Sequence, residues 1–158
     1  MGQDWKDDLA TFFEDLVIIR HSQQESRGQF DQFCEFIAEP AFEELAEEFK
    51  SYKIKTKIRK KKTESIAVQV NFPKSRIENL RYVIYLPKNA LELKMRLLTR
   101  GRITKKSPLE TKDDLFMADV PPGRILKLTK EDLIRNVLEN YQHFNYEATT
   151  RTKTKPGS

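Results

Sequence analysis

Glycine is scarce in this chain. The 158 residues hold five, at positions 2, 28, 101, 123 and 157. There is therefore no glycine-rich phosphate loop, and the P-loop and dinucleotide fingerprints are excluded. Cysteine is scarcer still: Cys34 stands alone, which rules out an intramolecular disulfide and a thiolate metal cage. Its neighbours Phe33, Phe36 and Ile37 belong to an apolar helical stripe, so the thiol is expected to be a buried, inert small hydrophobe. Two histidines, His21 and His143, fall short of the three or four ligands of a zinc site. No serine sits in a nucleophile elbow. Apolar runs such as residues 16–19 are far too short to cross a bilayer. The opening Met-Gly-Gln-Asp-Trp-Lys lacks the basic and apolar regions of a signal peptide, and Lys6 stands where a myristoylation signal has Ser or Thr. The expectation is a cytoplasmic chain with no membrane partner.

Charge is abundant, and it is segregated. Residues 1–50 carry 4 Lys/Arg against 13 Asp/Glu, residues 51–106 carry 17 against 3, and residues 107–158 carry 8 against 8. An overall charge of +5 thus conceals an acidic third followed by a basic one. Such asymmetry directs a protein toward anionic partners or toward itself. Ten Phe, five Tyr and one Trp supply enough aromatic mass for the core of one domain of this length.

Periodicity gives the elements. Trp5, Leu9, Phe12, Phe13, Leu16, Val17 and Ile19 recur at helical spacing behind Asp4, Asp7 and Asp8, which predicts an amphipathic helix over 4–22 with acids at its positive end. The polar stretch 21–28 reads as a turn. A Phe-rich stripe at Phe30, Phe33, Phe36 and Ile37 resumes at Phe42, Leu45 and Phe49; Pro40 between them predicts two abutting helices or one kinked helix. From Tyr52 the period falls to two, with Tyr52, Ile54, Thr56 and Ile58 alternating against Lys53, Lys55, Lys57 and Arg59. A turn at 60–64, strands over 66–72 and 80–86, and a fourth strand over 91–97 ending near Gly101 follow. The last of these is rich in helix formers, and alternation decides for the strand.

Residues 101–123 read as a long irregular connection, followed by an extended piece over 124–128. The Thr129 to Asp132 spacing resembles a capping box, with Asp in place of Glu, opening a helix over 130–145. The expected fold is α+β and two-layered: an antiparallel four-stranded meander packed on one face by N-terminal helices and a C-terminal helix. Residues 1–147 form one domain, and 148–158 a disordered basic tail.

With apolar phases inward, the outer sheet face would collect Lys53, Lys55, Lys57, Arg59, Gln69, Asn71, Arg81, Tyr85, Lys94 and Arg96, with Lys60, Lys61 and Lys62 at one end. Such a field attracts phosphate backbones without reading sequence. The expectation is therefore a non-enzymatic domain that binds RNA or DNA through Lys53, Lys55, Lys57, Arg59, Lys61, Arg81, Lys94 and Arg96, with Tyr85 as one stacking platform. The alternative is a protein-interaction or self-assembly module, in which a helix stripe of Glu35, Glu39, Glu43 and Glu47 meets the basic face in a homo-oligomer or another chain. Ordinary solvated polarity and edge protection are the plain reading of the same lysines.

Catalytic and metal readings fail on their parts. Glu92-Leu93-Lys94 is similar to the Glu-x-Lys of nuclease strands, but lacks an upstream acidic partner on a strand. Asp113, Asp114 and Asp119 come without the Gly and terminal Glu of an EF-hand loop. The glutamate stripe has none of the Glu-x-x-His pairs of di-metal bundles. No cofactor and no metal are expected.

Overall fold

The first helix is longer than its apolar pattern. In the computed structural model, which describes residues 4–153 and side chains as far as Tyr146, helix α1 runs without a break over Asp4–Phe33. The stretch expected to turn is helical. Its Gln, Glu and Arg are good helix formers, and Ser26 faces the body, where its hydroxyl donates to the Ala90 carbonyl at 2.8 Å. Pro40 has no N–H, and its ring clashes with the carbonyl one turn back in a regular α-helix. The chain answers by widening into a π-helical segment, Cys34–Ala38, closed by the Glu39 N–H bonding the Cys34 carbonyl. Helix α2, Glu39–Lys50, follows with Pro40 in its first turn.

The end of α2 corrects the start of the first strand. Lys53 N–H bonds the Lys50 carbonyl and Ile54 N–H bonds the Phe49 carbonyl, with Lys53 left-handed at φ 62°. This is a Schellman ending, with the buried pair Phe49 and Ile54 as its apolar clasp. Tyr52 is 64% exposed, and the ladder begins only at Thr56.

Five strands, one more than expected, form an antiparallel meander in the order β1-β2-β3-β4-β5. They are β1 Thr56–Lys61, β2 Ser65–Asn71, β3 Glu78–Tyr85, β4 Arg96–Gly101 and β5 Glu110–Leu115. The expected strand over 91–97 belongs mostly to a loop. Leu93 and Met95 are buried, so their alternation reports burial without a ladder. Residues 101–123 are less irregular than expected, since they contain β5 and lead into a 3-10 helix, Pro122–Lys127, where an extended piece was expected. Helix α3, Lys130–Lys153, opens on the anticipated reciprocal cap: Asp132 N–H donates to Thr129 Oγ1 at 3.2 Å and Thr129 N–H to Asp132 Oδ2 at 3.0 Å. The expected boundary at 147/148 falls inside α3. The rest of the expected tail, 154–158, lies outside the described residues.

Helices and sheet make two layers. Ile66, Val68 and Val70 of β2 and Tyr82 and Ile84 of β3 point at Phe30, Phe33, Phe42 and Leu45 from the helices and Val137 from α3, all buried in one cluster. Phe42 meets Tyr82 edge-on at 6.0 Å and Phe49 meets Tyr141 at 5.3 Å, geometries that the ring quadrupole favours. Phe36, expected inward, is 69% exposed. No helix among the described residues is long and apolar enough to cross a membrane.

Candidate functional site

The period-two rule places every second residue of each strand on the sheet face away from the helices. Register then orders that face into rows. Lys57, Gln69, Arg81, Arg100 and Thr111 are successive partners across the five strands, as are Lys61, Ser65, Tyr85, Arg96 and Leu115. The row between them is Arg59, Ala67, Val83, Leu98 and Asp113. Lys57, Arg59, Arg81, Tyr85 and Arg96 therefore share one face, as the alternation implied, and Lys61, expected in the turn, ends β1 on that same face. Arg100 joins them, as the partner of Arg81 and Thr111.

Two carboxylates divide these cations. Glu78, expected in a loop, opens β3 with its side chain only 9% exposed, and it holds Arg81 at 2.7 Å and Arg100 at 3.1 Å. Arg81 also donates to Gln69 Oε1 at 3.0 Å. Asp113 takes Arg96 at 2.9 Å and the Tyr85 hydroxyl at 2.6 Å. Those two hydrogen bonds hold the Asp113 carboxyl below its ordinary range, and the bond to Asp113 raises the Tyr85 phenol. Tyr85 is thus tied down by its hydroxyl, which limits it as a stacking platform. Neither anchor was legible from spacing. Glu78 lay beyond the expected strand start at 80, and Asp113 sat on a strand with no apolar phase.

Along the edge the cations are freer. Lys53, Lys55, Lys57, Arg59 and Lys62 are exposed and make no ion pair with any described residue. Among the described residues Lys61 makes only an exposed pair with Glu64 at 3.2 Å. Lys53 lies in the Schellman turn and Lys55 just ahead of β1, so both extend its line. Thr63 N–H bonds Asp31 Oδ1 at 2.9 Å, pinning the β1–β2 turn to α1. Lys94 does not join them, since it lies exposed in the loop between β3 and β4.

The glutamates stand on the other layer. Glu35, Glu43 and Glu47 are exposed on the helices, while Glu39 reaches Lys60 at 2.8 Å. Lys60, placed by sequence in a turn, lies on β1 in the phase facing the helices, and its bond to Glu39 raises the ammonium above its usual value. A concavity of about 640 Å³ lies between α2 and α3, lined by Phe49, Tyr52, Ile54 and Tyr141 together with Glu44 and Glu48. No three His, Cys, Asp or Glu side chains among the described residues are grouped to hold a metal ion. No protein-family model, curated protein or solved structure matches the chain.

Proposed function

We propose that this chain binds a polyanion, RNA or DNA, along edge strand β1, without catalysing a reaction on it. One observation carries the reading: Lys53, Lys55, Lys57 and Arg59 follow one another along an edge, exposed and without an ion pair to any described residue, while Glu35, Glu43 and Glu47 stand exposed on the helical layer. Alternate residues of a strand recur every ~6.8 Å, close to the separation of successive phosphates in an extended single strand. Lys61 and Lys62 continue the line. Contacts of this kind position a backbone and release counterions, so affinity falls as salt rises. Arg81, Arg96 and Arg100 widen the positive field but spend part of it on Glu78 and Asp113.

Lysines on an outer strand also block edge-to-edge pairing. That role predicts no salt-dependent affinity for nucleic acid, so one experiment separates the two. Anisotropy of labelled single-stranded RNA and duplex DNA is measured at about 50 and 200 mM salt, with wild type and Lys53→Glu/Lys55→Glu/Lys57→Glu. Micromolar binding at low salt that the variant abolishes supports the reading, and a preference for the single strand supports the edge geometry. Absence of binding by the wild type at low salt sinks it.

The second reading pairs the glutamate stripe of one copy with the cations of another. The Glu39–Lys60 bond favours it, since the two charge types meet there within one chain. Association of that kind weakens with salt and is lost in the same triple variant.

A further inference from the structure

Helix α1 carries one apolar stripe from end to end, and the protein's own body covers only half of it. Trp5, Leu9, Phe12, Leu16 and Ile19 recur in alternating steps of four and three. Gln23, Ser26, Phe30 and Phe33 continue the same rhythm. This is the a/d seam of a helix that meets another helix. Ser26, Phe30 and Phe33 are buried against the body. Toward the N-terminus, over residues 4–21, every side chain is exposed except the half-buried Leu16. Residues 4–22 form an arm about 28 Å long at 1.5 Å per residue.

We infer that the arm pairs with the arm of a second copy of this chain, antiparallel, burying the two seams against each other. Area supports a second copy. Trp5 is 60% exposed, Leu9 46%, Phe12 54%, Phe13 57% and Ile19 38%. At ~150–250 Å² for a full aromatic side chain and less for Leu and Ile, this is roughly 500 Å² of apolar surface on one face. Interfaces are about 56–65% apolar, so with its polar flanks the stripe offers roughly 800 Å² per copy, the share of a stable interface of ordinary size. A patch this large is also at the upper range of what a lone monomer exposes.

Steric shape fixes the direction. Each body sits on the seam face beyond residue 22, so parallel arms would drive the two bodies into the same space. Antiparallel arms place them at opposite ends. The 4-3 rhythm then matches itself. Leu9 of one copy faces Ile19 of the other, and Phe12 faces Leu16, while Trp5 reaches Gln23 where the body begins. Phe13, on the flank, lies beside its own counterpart near the two-fold axis. The flanks are not complementary: Asp15 approaches the other Asp15, and Lys6 approaches Arg20. Salt therefore tightens this dimer, the reverse of its effect on polyanion binding and on pairing of glutamates with lysines.

Sedimentation equilibrium on the full chain near 100 μM tests the inference, with a dimer expected at twice 18.6 kDa and a dissociation constant about three-fold smaller at 500 than at 50 mM salt. Phe12→Glu/Leu16→Glu should be monomeric, with the thermal unfolding of its body unchanged. Thr11→Glu/Ile18→Glu, which puts the same charges on the opposite side of the helix, should remain dimeric. Under mild oxidation Phe13→Cys should cross-link to itself and Leu9→Cys should not. A wild-type monomer overturns the inference, including one that floats with neutral phosphatidylcholine vesicles instead. So does a dimer that persists in Phe12→Glu/Leu16→Glu, one that loosens with salt, or a Leu9→Cys self-cross-link.

Discussion

Replacing Glu78 by Gln should move stability and binding in opposite directions. Glu78 is 9% exposed and takes charge-assisted bonds from Arg81 and Arg100, whose side chains are 27% and 34% exposed. Gln keeps the volume and one acceptor oxygen but removes the charge. A hydrogen bond to a charged group is worth about 1.5–3 kcal/mol net, and water recovers much of that for arginines about a third exposed. The expected loss is about 1–2 kcal/mol, or roughly 3–6 °C in Tm for a chain of this size. The same substitution raises the net charge of +5 by one and releases two guanidinium groups in the row that starts at Lys57. Polyanion affinity should therefore rise at 50 mM salt, and the log–log salt dependence should steepen by about one to two units as two more phosphates come within reach. Differential scanning calorimetry reads the first effect and anisotropy titration the second. A folded variant with lowered Tm but unchanged affinity and unchanged slope would refute the idea that phosphates lie across the open sheet face.

Cys34 is fully buried, and burial pushes its thiol up to about 12 from an ordinary 9.0; a thiol reagent at pH 8 should label it only as fast as the protein unfolds. The unfolded chain ionises from about pH 9 and the folded one does not, so stability should fall by up to about 1.4 kcal/mol per pH unit between 9 and 12, a slope that urea titrations of Cys34→Ala should lack. Lys53 holds a left-handed φ of 62° that glycine adopts without strain, so Lys53→Gly should raise stability by about 1 kcal/mol in thermal melts, whereas Lys53→Ala should not. Thr129→Ala removes the cap of α3 and should cost about 1 kcal/mol at pH 7. Its partner Asp132 is held below its usual 3.8 first by the Thr129 backbone bond, so its contribution is present above 3.8 and lost as pH falls through the lowered value. The Tm difference between wild type and Asp132→Asn should narrow there.

Residues whose burial and backbone pattern coincide were legible. In β2, Ile66, Val68 and Val70 alternate because they are both buried and laddered, and the Thr129–Asp132 cap announces α3 by chemistry confined to four residues. Leu93 and Met95 misled because two buried residues flanking an exposed one need no partner strand. β5 escaped notice because all six of its residues are exposed, as suits an edge defended by charge, and period-two reasoning detects burial, not hydrogen bonding. The turn expected at 21–28 was a loss of apolar residues, not of helix. Of the site, the phase of Lys57, Arg59, Arg81, Tyr85 and Arg96 could be read from alternation alone. Which of them are pinned could not, because Glu78 and Asp113 reach them through register, a relation between strands that no local window contains.

The unbroken course of α1 makes it a lever as well as a support. With no turn at 21–28, the direction of its exposed half is set by Phe30 and Phe33 in the core and by the Ser26–Ala90 bond. Whatever grips Trp5 or Phe12 is therefore held at a fixed bearing to β1, about 26 Å or about 15 Å respectively from where the helix enters the body. A rigid spacer selects ligands by length: a polyanion long enough to bridge two such sheets would gain a high effective concentration at the second, and a shorter one would gain none. Inserting a glycine pair near Gln23 would convert that ruler into a joint.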